Sequence, residues 1–235
     1  MLRETQFFLY LFILVSAVHL WGVVTHQDAL SFYSKPFLLS TLSLYFFLST
    51  RRSGSHFRRG ILLGLLFSIF GDTFLLFEGS TYFLLGLGAF LIAQISYLSA
   101  FLSLQPLKQG SLSRRPWLAL PFLAYLAWLL LYLWSDLPGA FRWPVTIYGV
   151  VITSMALGSV NLYKKLPQPL FWRLLTGVLF FLASDSLIAL SRFKSGGLTL
   201  AEPGLWIMVT YLVAQYLIAT SGVGVEKLRG NQAYS

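Results

Sequence analysis

Two aspartates stand inside long apolar runs of this chain, and no other residues offer as much chemistry. Asp72 ends the run Gly64-Leu-Leu-Phe-Ser-Ile-Phe-Gly-Asp72, and Asp185 ends Gly177-Val-Leu-Phe-Phe-Leu-Ala-Ser-Asp185. A charge at the centre of a membrane helix costs at least ~2.5–3.5 kcal/mol on insertion scales, so such a residue normally faces the bundle interior and has a role. At the helical rise per residue, Asp72 lies roughly 18–20 Å beyond Arg59, and Asp185 a similar depth beyond Arg173. Both therefore fall near mid-bilayer and level with each other. Two carboxylates in a dry interior can divide acid and base roles, because burial and a like neighbour push their protonation equilibria apart. The purely structural alternative is that each aspartate only bonds a neighbouring helix.

Other polar residues reach the same layer. Lys35 can pair with an aspartate, hold an anionic headgroup, or snorkel to the interface. Gln94 shares a helical face with Tyr97, and Tyr211 shares one with Gln215; such amide and phenol pairs contact substrate or simply join helices. Ser184 and Ser186 flank Asp185, and Ser68 is one turn before Asp72; serines in spans usually bond their own backbone. Asn161 falls too near a loop to join this group. Gly-x-Ser-x-Gly elbows, phosphate loops and His-Glu-x-x-His are absent from the sequence.

These residues need a membrane bundle to position them. Of 235 residues, 57% are hydrophobic and only 11% charged, where a soluble domain carries about a quarter charged. Eight apolar runs are long enough to span, near residues 6–25, 30–50, 60–77, 82–104, 117–134, 144–163, 174–190 and 205–222. Lys35 and Pro36 interrupt the start of the second, where proline is expected in the first turn. The fold class is thus all-α, a single polytopic domain of eight transmembrane helices over residues 1–235. The first run follows Arg3 and is read as a span, not a signal peptide. Glu4, Asp28, Glu78, Asp136, Glu202 and Glu226 are assigned to loops or tails.

The formal net charge of +9 does not indicate a nucleic-acid partner, since the basic residues cluster in short loops. Arg51, Arg52, Arg58 and Arg59, then Lys108, Arg114 and Arg115, then Lys164, Lys165 and Arg173 fall on one side. That asymmetry places both termini in the cytoplasm of a cell (inner) membrane protein. The aligned aspartate runs, and the pairs Ala93-Gln94 and Ala214-Gln215, suggest a parallel repeat of four helices plus four. With no cysteine and three histidines, thiol chemistry is excluded and no metal or other cofactor is expected.

The sequence resembles the YhhN-like lysoplasmalogenase family of eight-span membrane proteins. The resemblance is carried by Lys35-Pro36, by Leu66-Phe67 with Gly71-Asp72, and by Phe83-Leu-Leu-Gly86 with Phe90. It continues through Tyr148 and Met155, Leu179-Phe180, Ser184-Asp185-Ser186, Arg192-Phe193, and Thr210-Tyr211 with Ala214-Gln215. One departure is Gln94, where the family commonly carries histidine; glutamine bonds but does not titrate. The resemblance implies hydrolysis of the vinyl-ether bond of lysoplasmalogens to a fatty aldehyde and a glycerophospho-headgroup. It implies Asp72 and Asp185 as the acid–base pair and Lys35 near the headgroup phosphate. Gln94, Tyr97, Ser184, Tyr211 and Gln215 would be substrate contacts. Partners are then the lysolipid and the surrounding membrane lipids. Without the resemblance, the residues also fit a proton-coupled transporter or a non-catalytic lipid-binding protein.

Overall fold

In the computed structural model, residues 2–194 and 200–232 are described, and the side chains of residues 2–4 and 232 are not; the assignments made above for Arg3 and Glu4 therefore lie outside the described side chains. Described residues form helices and connecting turns. The long helices are α1 (Leu2–Val24), α2 (Asp28–Ser49), α3 (His56–Phe74) and α4 (Ser80–Leu104); the one-turn α5 (Ser111–Arg114) follows, then α6 (Leu120–Leu133), α7 (Gly139–Val160), α8 (Gln168–Phe193) and α9 (Pro203–Gln232). A helix covers each of the eight expected apolar runs. Six are long and apolar enough to cross a membrane, the exceptions being α2 and α3, which carry Lys35 and Asp72. The protein is thus an all-helical, multi-pass membrane protein. Helical segments suit lipid because they satisfy their own backbone hydrogen bonds.

Small residues set which helices meet. A Cβ on Gly60 would stand 2.7 Å from the Ser96 carbonyl, one on Gly64 2.3 Å from the Tyr97 ring, and one on Gly71 2.6 Å from Phe90. These glycines form a seam that draws α3 onto α4. On the other side of the bundle, Gly177 packs α8 against α9, with Leu217 Cβ 2.8 Å from its virtual Cβ. In hydrocarbon, where apolar burial offers little drive, such close approach is what van der Waals association between helices needs. The main core runs through α2, α3, α4, α7, α8 and α9, with a smaller cluster of Phe83, Leu133, Leu137, Val145 and Phe193 at one end. Helix α6 is peripheral, and Leu131 on it is 78% exposed, a face suited to lipid.

Three details differ from the sequence reading. Pro36 sits in the third turn of α2, not the first. Its ring removes one helical N–H, and Ser40 Oγ donates to the Pro36 carbonyl at 2.7 Å. Helix α9 continues about ten residues past the expected end near 222. Glu226 therefore lies in a helix and is buried rather than in a tail. It is held there because Ser55, the N-cap of α3, accepts from Arg58 N at 2.9 Å and donates to Glu226 Oε1 at 2.6 Å. The cap serves both the helix end and the α9 extension. Asn161 binds the turn after α4, donating to the Gln105 carbonyl at 3.0 Å and accepting from Leu112 N at 3.2 Å.

Candidate functional site

The two aspartates arise from equivalent places, the second halves of α3 and α8, but each belongs to its own hydrogen-bonded cluster. Asp72 is buried and accepts from Tyr211 Oη on α9 at 2.7 Å. Beside it, Tyr97 Oη on α4 donates to Gln215 Oε1 at 2.8 Å, and Gln215 Nε2 donates to Ser68 Oγ at 3.1 Å. Ser68 in turn donates to the Gly64 carbonyl at 2.8 Å. Tyr97, Gln215 and Ser68 are fully enclosed.

Asp185 is half-buried and more accessible. Its Oδ2 accepts from Tyr148 Oη on α7 and from Gln94 Nε2 on α4, the latter at 2.8 Å. Gln94 Nε2 also lies 2.6 Å from Tyr148 Oη. The three groups close a triangle that locks the carboxylate rotamer and leaves Oδ1 without a hydrogen bond among the described residues. Gln94 is fully buried, yet its Oε1 has no hydrogen-bond partner among the described residues, an unusual state for a buried acceptor.

Asp185 and Tyr148 lie where two apolar clefts meet. One cleft runs between α6, α7 and α8 past Leu126, Leu130, Ile152 and Leu182. Tyr125 and Ser186 line it too, and Tyr125 Oη donates to Ser186 Oγ at 2.8 Å. The second runs between α4, α7 and α8 past Leu87, Phe90, Ile188 and Phe193. Concave apolar space ending on a few polar groups is the usual form of a small-molecule site. Asp72 lines neither cleft. Phe90 connects the two regions: it borders the second cleft and stands edge-on to Tyr211, ring centres 5.9 Å apart. Asp72 and Asp185 are near enough to feel each other's charge, and Lys35 is within the same range of Asp72.

Residues 30–222 match the family model described as the YhhN family. The chain belongs to the YhhN family. Similar proteins include a human lysoplasmalogenase, TMEM86A, 36% identical over 166 residues, which are 69% of this chain and 65% of the human protein. A lysoplasmalogenase of Mycobacterium bovis is 35% identical over 164 residues, 68% of this chain and 59% of that protein. The chain thus spans less than two-thirds of the length of the relatives it matches. No solved structure matches it.

The YhhN chain's expected site residues fall into two groups. Asp185 and Gln94 meet directly, as do Asp72 and Tyr211, and Tyr97 and Gln215. Gln94 and Tyr97, paired by spacing on one face, turn to different clusters. Ser184, expected as a substrate contact, donates to the Ile207 carbonyl at 3.1 Å, which makes it a joint between α8 and α9, and it lines neither cleft. Lys35 is half-buried on α2 and borders neither cleft. Sequence reasoning gave no site role to Tyr148, the closest neighbour of Asp185, or to Tyr125. A tyrosine in the middle of an otherwise apolar span was the available signal, since a buried phenol normally needs a hydrogen-bond partner.

Proposed function

We propose that the protein is a membrane lysoplasmalogenase, cleaving a vinyl-ether lysolipid into a fatty aldehyde and a glycerophospho-headgroup. The carrying observation is the Asp185 carboxyl, held through Oδ2 with Oδ1 unbonded, at the meeting point of two clefts that suit a hydrocarbon chain. The relatives' names supply the reaction class. Asp185 Oδ1 carries the proton that is added to the outer alkene carbon. A C–H bond forms, the π bond breaks, and an oxocarbenium ion remains at the carbon bound to oxygen. Water adds to that carbon and gives its proton to the vacated carboxylate. The hemiacetal then collapses, its C–O bond to glycerol breaking to release the aldehyde and a free hydroxyl.

Tyr148 and Gln94 are positioning residues, fixing the Asp185 rotamer. Asp72 contributes a second negative charge within range of the cation, a through-space stabilisation that is strong in a low-dielectric interior. Lys35 is within Coulombic range of Asp72 but forms no ion pair with it. Tyr211 and Gln215 keep the Asp72 side rigid, with Tyr97 and Ser68 as their partners. This division makes Asp185 the residue in contact with substrate and places Asp72 behind it.

We further read all eight long helices as membrane spans, with both termini in the cytoplasm of an inner membrane and a parallel repeat relating α1–α4 to α6–α9. The exchange of partners supports the repeat. Gln94 of the first half reaches Asp185 of the second, and Gln215 of the second reaches Ser68 of the first, one turn from Asp72. The test of function is aldehyde release from a lysoplasmalogen by purified protein in nanodiscs. Asp185→Asn is expected to lose at least ~100-fold in kcat, the ordinary contribution of a general acid. Full activity in that variant would end the assignment.

A further inference from the structure

The second cleft ends in an aromatic cluster with a cation over it. Phe83 at the start of α4, Phe141 at the start of α7 and Phe193 at the end of α8 pack edge-on or tilted, ring centres 5.3–5.9 Å apart. Phe83 and Phe193 line the cleft. Arg192 Cζ stands 5.0 Å from the centre of the Phe83 ring, and the arginine is exposed with no carboxylate partner among the described residues. The neighbouring cations are already engaged. Lys194 Nζ is paired with Asp136 Oδ2 at 2.7 Å. Arg142 Nε donates to the Leu137 carbonyl at 3.3 Å and its guanidinium lies over Trp134.

We propose that Arg192 binds the phosphate of the lysolipid, so that the glycerophosphate lies along the Phe83–Phe193 end of the second cleft and the reacting bond lies at Asp185. This deepens the lysoplasmalogenase reading and rests on it for the reacting bond alone. The distances agree. Asp185 and Arg192 are separated by seven residues of one helix, about 10 Å along its axis, the same order as the glycerol tether between a vinyl ether and its phosphate. The cation–π contact with Phe83, a residue that lines the cleft, keeps the guanidinium beside that end of it. Arginine's fork matches two phosphate oxygens at once. Lys35, the alternative cation, stands on α2, no residue of which lines either cleft, whereas Arg192 adjoins Phe193 in the chain and lies over Phe83, both of which line the second.

The test uses non-cleavable ligands, so that it reads headgroup recognition whether or not turnover occurs. Purified protein in nanodiscs is titrated with 1-O-alkyl-glycerophosphoethanolamine, with 1-O-alkylglycerol, which lacks phosphate, and with glycerophosphoethanolamine, which lacks the chain. Each competes against a fluorescent alkyl lysolipid. The wild type is expected to prefer the phospholipid over the alkylglycerol by at least about ten-fold, with glycerophosphoethanolamine weak. Arg192→Gln should bring the ratio near one, and Arg192→Lys should restore part of it, because charge returns without the fork. An unchanged ratio in Arg192→Gln overturns the proposal. So does loss of the ratio in Lys35→Gln but not in Arg192→Gln, or chainless headgroup binding as tight as the lipid. Failure of aldehyde release with a normal wild-type ratio would count against the hydrolase reading and leave the phosphate site standing.

Discussion

At the scale of single residues, the site turns on how Asp185 is held. Both of its described hydrogen bonds converge on one oxygen. As the proton leaves, Asp185 becomes a carboxylate, and losing a donor to that developing charge costs about 1.5–3 kcal/mol, or ~10–100-fold in rate. Gln94→Leu is therefore expected to lower kcat by roughly that factor with little change in KM, because the amide does not face the clefts. Gln94→His should keep activity within a few-fold, since an imidazole N–H can replace the amide donor. Steady-state kinetics on both variants check this, and a fully active Gln94→Leu would remove the positioning role. Tyr148→Phe should behave like Gln94→Leu. The two aspartates were visible in the sequence because a carboxylate in an apolar run is costly and conspicuous. Tyr148 was named only as a residue matching the family, and its part in the site was not legible, because a tyrosine costs little in lipid and its partner lies 37 residues away. Likewise Ser184 beside Asp185 looked like a site residue; a helix turns adjacent side chains apart, and this one faces α9.

At the scale of helices, the glycine seam between α3 and α4 sets the site's second wall. Gly64 is where the Tyr97 ring lies, and a methyl group there would stand 2.3–2.6 Å from three ring atoms. Tyr97 is fully buried and bonded to Gln215, so it has no room to retreat. Gly64→Ala should destabilise by about 1–3 kcal/mol, the ordinary range for overpacking. A lowered melting temperature in nanodiscs and reduced aldehyde release would show it; an unchanged transition would mean the helices slide apart freely. Gly54→Ala, with no atom within 4 Å of the added methyl, serves as the matched control. Gly64 and Gly177 stood out in the sequence only as the openings of the two aligned aspartate runs. Which helix each would meet was not legible, because the partner atoms come from helices that only the fold brings together.

At the scale of the whole molecule, the arrangement of loops predicts a sidedness that the cysteine-free sequence makes easy to test. With both termini inside, Gly54→Cys in the α2–α3 loop should react with a membrane-impermeant maleimide only after the membrane is opened. Glu78→Cys in the α3–α4 loop should react in intact spheroplasts. Both positions are exposed, and the reverse labelling pattern would invert the topology. Helix positions were legible to within a few residues for most runs, since the apolar stretch and its charged flanks mark the membrane boundary directly. The end of α9 was not, because Glu226 looks like a tail residue until Ser55 is seen to receive it.

A fork at the reacting carboxyl also bears on where the aldehyde goes. Fatty aldehydes are electrophiles that condense with lysine amines, so a passage opening on the aqueous side would expose proteins to them. On the proposed reading, the alkenyl chain would lie in clefts bounded by leucine and phenylalanine. Once its bond to glycerol breaks, it can leave sideways by the arm along α6 while the polar fragment departs by the other. The harmful half of the reaction would then pass straight into the oily phase, and neither product would have to wait for its twin to back out.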